Sequence, residues 1–208
     1  MDTYHTIENS RVDHLIIADM VQEGSRVLDI GCGDGALLEL LRIKKSIDGR
    51  GIEINQPNVN LSVAKGLSVI HGDADHDLTN YPDGVFDYAI LSQTIQATMH
   101  PKTVLEQLLR ISDKAIVSFP NFGAWKIRMQ LLLTGRMPTT KTLPQAWYET
   151  QNIHLCTIKD FVEMCKEVNA KVEKSVVLDS AGNRISLGRS LHLQNLFGVQ
   201  AVFLLRGN

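Results

Sequence analysis

Three carboxylates stand where short apolar runs end in the first half of the chain: Asp29, Glu53 and Asp73. The first lies in Val27-Leu28-Asp29-Ile30-Gly31-Cys32-Gly33-Asp34-Gly35-Ala36-Leu37-Leu38, an apolar stretch, a turn with glycine at alternate positions, and a second apolar stretch. Glycine there lets the backbone turn sharply and lets a ligand approach where a Cβ would clash, and a helix starting beside it offers unpaired N–H groups. The letters also satisfy the dinucleotide pattern G-x-G-x-x-A, so the turn alone leaves the ligand open. The acids narrow it. A pyrophosphate over this turn would meet the negative charges of Asp29 and Asp34, whereas S-adenosylmethionine has no phosphate and carries an ammonium and a sulfonium that a carboxylate favours. Glu53 stands about 20 residues past the glycines, where a carboxylate accepts hydrogen bonds from ribose hydroxyls. His71-Gly72-Asp73-Ala74 sets a third acid beside the expected adenine. The cofactor this constellation implies is S-adenosylmethionine, with S-adenosylhomocysteine as its product.

Methyl transfer from a sulfonium is an in-line displacement that needs proximity and alignment more than any particular base. His154, close to Tyr148 and Asn152, is a candidate base near an acceptor, and packing beneath an ordered loop is the competing role. Phe119-Pro120-Asn121-Phe122 departs from the Asp/Asn-Pro-Pro-aromatic turn of enzymes that methylate planar amines, which disfavours that chemistry. His71, Asp73, Asp75, His76 and Asp77 crowd together, but Asp73 is better explained by adenine, so no metal is expected. Asp29 and Asp34 should raise the Cys32 thiol's pKa and suppress its thiolate. Trp125, Ile127, Met129, Leu131, Leu132 and Leu133 form an apolar set that suits a cap over the site, a partner surface or core.

Positioning the acids requires short apolar strands alternating with amphipathic helices, which is the pattern of an α/β sheet. Strands are expected at 26–30, 50–54, 67–71, 86–91 and 114–119, and helices at 10–21, 35–43, 58–64 and 101–111. The strands read as buried and parallel, joined by right-handed crossovers. Segment 119–153, with three of the six prolines and both tryptophans, breaks the alternation and reads as an insertion or lid. A helix at 158–168 and strands at 171–178 and 199–205 follow, the last two closing as an antiparallel pair without a helical crossover. The expectation is one domain over 1–208: a Rossmann-like, seven-stranded, mostly parallel sheet with an antiparallel last strand and helices on both faces.

With 44% hydrophobic and 21% charged residues, 208 residues can build a globular core. A net charge of -2 supplies no pull toward nucleic acid or anionic lipid. Three cysteines without a C-x-x-C pair point to reduced thiols in a cytoplasm. Met1–Glu8 lacks the basic start and apolar run of a signal peptide, so no export is expected. No apolar stretch reaches the length a bilayer requires, so no membrane span is expected.

The order D-x-G-x-G-x-G, ribose acid, then G-D-A resembles the class I S-adenosylmethionine-dependent methyltransferases across roughly residues 24–119. That resemblance implies that Asp29, Gly31 and Gly33 read the methionine part, Glu53 with Ile54 the ribose, and Asp73 with Ala74 the adenine, with Ser92 beneath the methyl group. More specifically, the chain resembles the methionine biosynthesis protein MetW family. The residues that carry this are 28–37, Leu91-Ser92-Gln93-Thr94-Ile95-Gln96, Phe119-Pro120-Asn121-Phe122-Gly123 and Trp147-Tyr148-Glu149-Thr150-Gln151-Asn152-Ile153-His154. It implies a place in methionine biosynthesis and a homoserine O-acyltransferase partner, acetyl or succinyl. It assigns no methyl acceptor, and leaves open an accessory subunit without turnover.

Overall fold

The computed structural model of the chain describes residues 10–140, 143–186, 188 and 190–207. The start at 1–8, on which the expectation of no export rests, lies outside them. A helix, α1 (Val12–Met20), leads into β1 (Arg26–Ile30), α2 (Ala36–Lys45), β2 (Asp48–Glu53), α3 (Gln56–Ala64) and β3 (Ser68–His71). The short α4 (Ala74–Asp77) precedes β4 (Phe86–Ser92), α5 (Pro101–Ile111) and β5 (Ser112–Pro120). Then come α6 (Trp125–Thr134), α7 (Ile158–Glu167), β6 (Ala170–Leu178), α8 (Leu191–Phe197) and β7 (Gln200–Gly207).

The strands form one seven-stranded sheet in the order β3-β2-β1-β4-β5-β7-β6. Pairing is parallel from β3 through β5, and β7 runs antiparallel to both β5 and β6. The order turns back on itself between β1 and β4, the position at which an open α/β sheet leaves a crevice beyond its carboxyl edge.

Side-chain alternation along each strand divides the core into two faces. Leu28, Ala89, Leu91, Ala115, Val117, Phe119 and Phe203 pack on the side of α5 and α7. Val27, Tyr88, Ile90, Ile116 and Val202 pack on the side of α1 and α2. Asp29, Ser92 and Ser118 continue the second set at the carboxyl ends of β1, β4 and β5, so all three point toward the start of α1.

The strands and long helices match the apolar runs within a residue or two at most ends, the scatter expected of element boundaries. The last two strands pair antiparallel as expected, and their connection carries a short helix that the sequence reading lacks, α8, its N-cap Ser190 accepting a hydrogen bond from Leu193 N at 3.4 Å. At seven residues, α8 is too short to establish a period of 3.6.

Candidate functional site

The glycine turn is built by left-handed backbone. Gly31 has φ of 70° and Gly33 φ of 58°. A Cβ on Gly31 would lie 2.5 Å from Thr94 Cγ2, while one on Gly33 would meet nothing within 4 Å. The first glycine is therefore needed for packing against the segment after β4, and the second borders open space. Gly31 N and Cys32 N both donate to Ile52 O, which ties the turn to β2.

Asp29 is 1% exposed, and its Oδ1 has no hydrogen-bond partner among the described residues. Burial pushes its pKa up to about 7, against the pull of the Arg11 guanidinium and with some help from Glu53. A buried oxygen of this kind costs free energy until a donor reaches it. Glu53 is also buried, and its two oxygens accept from Gly33 N and Asn55 N, each at 2.8 Å. One lone pair on each oxygen is left for a ligand. Ile54, the next residue, is exposed. Asp73 caps α4 by accepting from Asp75 N at 2.9 Å, and Ala74 opens that helix and packs on the core.

Ser92 ends β4, and its hydroxyl donates to Asp13 Oδ2 at 3.3 Å, with Arg11 Nη2 3.1 Å away. Ser118, at the neighbouring strand end, donates to the same Asp13 oxygen at 3.1 Å. Asp13 is buried; burial alone would raise its pKa, but the Arg11 guanidinium holds it below the usual value. His14 beside it is held down to about 4 by burial first and by Arg11 second, so it is neutral. Arg11, Asp13 and His14 were not singled out in the sequence, and Gln93 only as a member of the 91–96 run. That residue adopts φ of 59° right after Ser92, where its N donates to Ser118 O at 2.8 Å. Left-handed backbone at a non-glycine residue stores strain of the kind that gathers at functional sites.

The remaining candidates are placed elsewhere. His154 Nε2 lies 3.3 Å from Met99 O, and its backbone N donates to Gln96 O, so it fastens the far end of the 119–153 segment to the loop after β4. Tyr148 is exposed, edge-on to Trp147. Asp75 accepts from Met99 N and His100 N, and Asp77 from Asp73 N, so both carboxylates are engaged by backbone. Among the described residues no group of three or more His, Cys, Asp or Glu is arranged to hold a metal. Burial, then Asp29 and Glu53, push the Cys32 thiol far above its ordinary pKa. Asn121 of the Phe-Pro-Asn-Phe run has its amide fully used: Nδ2 donates to Asn195 O and Gly198 O, and Oδ1 accepts from Gly123 N and Ile158 N. It has no capacity left for an acceptor amine.

A cavity of about 450 Å³ lies in the segment after β5, lined among others by Phe122, Met137, Leu143, Trp147, Asn152 and Ile153. Beside it α6 seats Ile127 on Ala124 and Leu143 but leaves Trp125, Met129, Leu132 and Leu133 exposed. Core is thus the wrong role for most of that apolar set. Among the described residues no helix is long and apolar enough to cross a membrane.

The sequence profile of the family described as methionine biosynthesis protein MetW matches residues 11–205. A curated relative, the bifunctional methionine biosynthesis protein MetXA/MetW of Rhodopirellula baltica, is 33% identical over 184 residues, covering 84% of this chain and 30% of that protein. The chain therefore spans less than a third of that relative's length. Among solved structures, an S-adenosylmethionine-dependent methyltransferase from Archaeoglobus fulgidus aligns with a TM-score of 0.65 at 16% identity, over 93% of this chain and 91% of that one. The [4+2]-cyclase SpnF aligns with a TM-score of 0.65 at 15% identity, over 93% of this chain and 80% of that one. At these identities the likeness is one of fold.

Proposed function

Because the chain belongs to the methionine biosynthesis protein MetW family, we propose that it binds S-adenosylmethionine and transfers its methyl group to a small acceptor. A cyclase shares the fold, so fold alone does not carry this reading. The observation that does is Asp29, buried and with Oδ1 unpartnered, beside a glycine turn that opens onto free space at Gly33. The group such a site lacks is a cationic donor, which suits the ammonium of the cofactor and not a pyrophosphate.

When bound, the cofactor supplies an electrophilic methyl on a sulfonium. Asp29 with the backbone of Gly31 and Gly33 binds the methionine part. Glu53, prepositioned by its two backbone donors, accepts from the ribose hydroxyls, with Ile54 against the same nucleoside. Asp73 accepts from the adenine amino group beside Ala74. Ser92 lies beneath the methyl, its hydroxyl oriented by Asp13. The chain acts as one domain, in a compartment that keeps its three thiols reduced, such as the cytoplasm, and segment 119–153 covers the acceptor. Tyr148 in that segment and His154 just past it are the base candidates.

The test is calorimetry with S-adenosylhomocysteine. Glu53→Ala should cost about 1.5–3 kcal/mol of binding, one charge-assisted hydrogen-bonding group, while NAD should bind far more weakly to the unaltered protein. An unchanged affinity would remove the ribose assignment.

The name of the Rhodopirellula relative, which joins MetXA to MetW, and the exposed apolar face of α6 support a second reading. In it the chain is an accessory subunit of a homoserine O-acyltransferase with no turnover of its own. Methyl transfer by the isolated chain to any metabolite favours the first reading, and an acyltransferase that works only in its presence favours the second.

A further inference from the structure

The cavity of about 450 Å³ in the segment after β5 has its shape set by backbone bonds from separate parts of the chain. Phe122, in its wall, follows the end of β5, and its N donates to Cys156 O at 3.2 Å. Ile153, also in the wall, donates its N to Gln96 O at 2.9 Å, in the loop that follows β4. Thr140 and Leu143 pair antiparallel, each N donating to the other's O at 2.9 and 3.1 Å, and Leu143 thereby seats on Ala124 and Ile127. The cavity thus stands at the carboxyl edge of the sheet, bonded to the segments that continue β4 and β5.

Among the described residues its lining carries no ionisable side chain. Gln145, Thr150 and Asn152 are the polar members, and the rest is apolar, with Phe122 and Trp147 aromatic. Thr150 Oγ1 accepts from Asn152 N at 3.1 Å, which leaves its O–H to donate. His154, next in the chain after Ile153, turns its ring to Met99 O and lines a separate, smaller cavity with Gln96 and Cys156. A charged group placed against such walls loses water without gaining a counterion, whereas apolar area gains by burial there. The volume is that of a small-molecule site. Aliphatic amines and carboxylates are charged near neutral pH, so of the nucleophiles able to take a methyl group a hydroxyl suits this lining, where neutral amides and a hydroxyl can bond it. We propose that the cavity takes an uncharged, mainly apolar small molecule bearing a hydroxyl, and that this molecule is the methyl acceptor. Its role as acceptor rests on the methyl-transfer reading above. In that role the hydroxyl oxygen forms the O–CH3 bond as the C–S bond breaks, the sulfur keeps the electron pair as S-adenosylhomocysteine, and the hydroxyl proton leaves to water.

Two fluorescent probes that differ by one charge test this on the full chain: N-phenyl-1-naphthylamine, which is neutral, and 8-anilinonaphthalene-1-sulfonate, the same ring system carrying a sulfonate. The neutral probe should bind saturably at micromolar concentrations, about tenfold or more tighter than the sulfonate. Ile153→Asp and, separately, Leu155→Asp place a carboxylate in the wall at side chains already half exposed, so both variants should fold. Each should weaken the neutral probe about tenfold or more. Leu132→Glu with Leu133→Glu, on the exposed face of α6 and outside the lining, should leave it within about twofold. S-adenosylhomocysteine should bind together with the probe. The inference is overturned by a neutral probe that does not saturate, by a sulfonate that binds as tightly, by a loss in the α6 variant rather than the wall variants, or by displacement of the probe by S-adenosylhomocysteine. A chain that binds the neutral probe as described but no S-adenosylhomocysteine keeps the apolar site and loses the cofactor reading, and the acceptor role with it.

Discussion

At the scale of single residues, Asp29 and His14 pull the pH dependence of stability in opposite directions. Burial raises Asp29 to about 7, so between its ordinary value near 4 and pH 7 the folded chain keeps a proton that the unfolded chain has released. Stability contributed through Asp29 therefore falls as pH rises across that window. Burial lowers His14 to about 4, so between pH 4 and about 6.5 the unfolded chain holds a proton that the folded chain lacks, and stability rises with pH. The groups acting on the pair are Arg11 at the N-cap of α1, Asp13 beside His14, Asp34 from the turn and Glu53 from β2. The opposing slopes, about 1.4 kcal/mol per pH unit for one proton, nearly cancel in the unaltered protein from pH 4.5 to 6. Urea midpoints measured across that range should accordingly be flat for the unaltered chain, rise with pH for Asp29→Asn, and fall with pH for His14→Gln. Parallel pH profiles for all three proteins would show that neither group is perturbed as described.

At the scale of elements, a buried amide fixes how the last third of the chain joins the sheet. Asn121 follows β5 and bonds Gly123 N, Ile158 N at the start of α7, and the carbonyls of Asn195 and Gly198 at the end of α8. Asn121→Ala would leave several buried backbone groups without partners, each costing about 1–3 kcal/mol, so a loss of about 3 kcal/mol or more is expected in urea unfolding. A loss below about 0.5 kcal/mol would mean that water replaces the amide. This junction is illegible in the sequence, where the Phe119–Phe122 run shows only its departure from the amine-methylating turn; the partners of Asn121 lie up to 77 positions away. The parallel strands were legible because a buried strand is itself a short apolar run bounded by turn residues, as Arg26–Ile30 and Phe86–Ser92 are. The acids at 29, 53 and 73 were legible for the same reason, since each sits at or just past the end of such a run. Arg11, Asp13 and His14 were not, because α1 meets the strand ends only in the folded chain: Asp13 and Ser118 are 105 positions apart.

At the scale of the whole molecule, the surface poses a question that the sheet does not. Trp125, Met129, Leu132 and Leu133 repeat at helical spacing on α6, and that stripe is exposed, Leu132 and Leu133 at 75% each. An apolar stripe of this period normally faces a core, and large exposed apolar patches mark interaction sites. The opposite side of the helix is already seated through Ile127, so among the described residues the stripe is left facing outward. In the Rhodopirellula relative, MetXA and MetW share one chain, which holds the two parts at high local concentration. Where the two parts are not joined, affinity has to replace that linkage, and an apolar, aromatic-bearing helix is a surface able to supply it. If the accessory reading holds, this chain and a homoserine O-acyltransferase co-elute at micromolar concentrations, and the acyltransferase gains activity or thermal stability from the mixture. Leu132→Glu with Leu133→Glu should abolish co-elution while shifting the urea midpoint of the isolated chain by no more than about 0.5 kcal/mol per site, because both side chains are solvated before binding. A complex that survives the double substitution would place the contact elsewhere, and an acyltransferase that elutes alone and works as well without this chain would end the accessory reading.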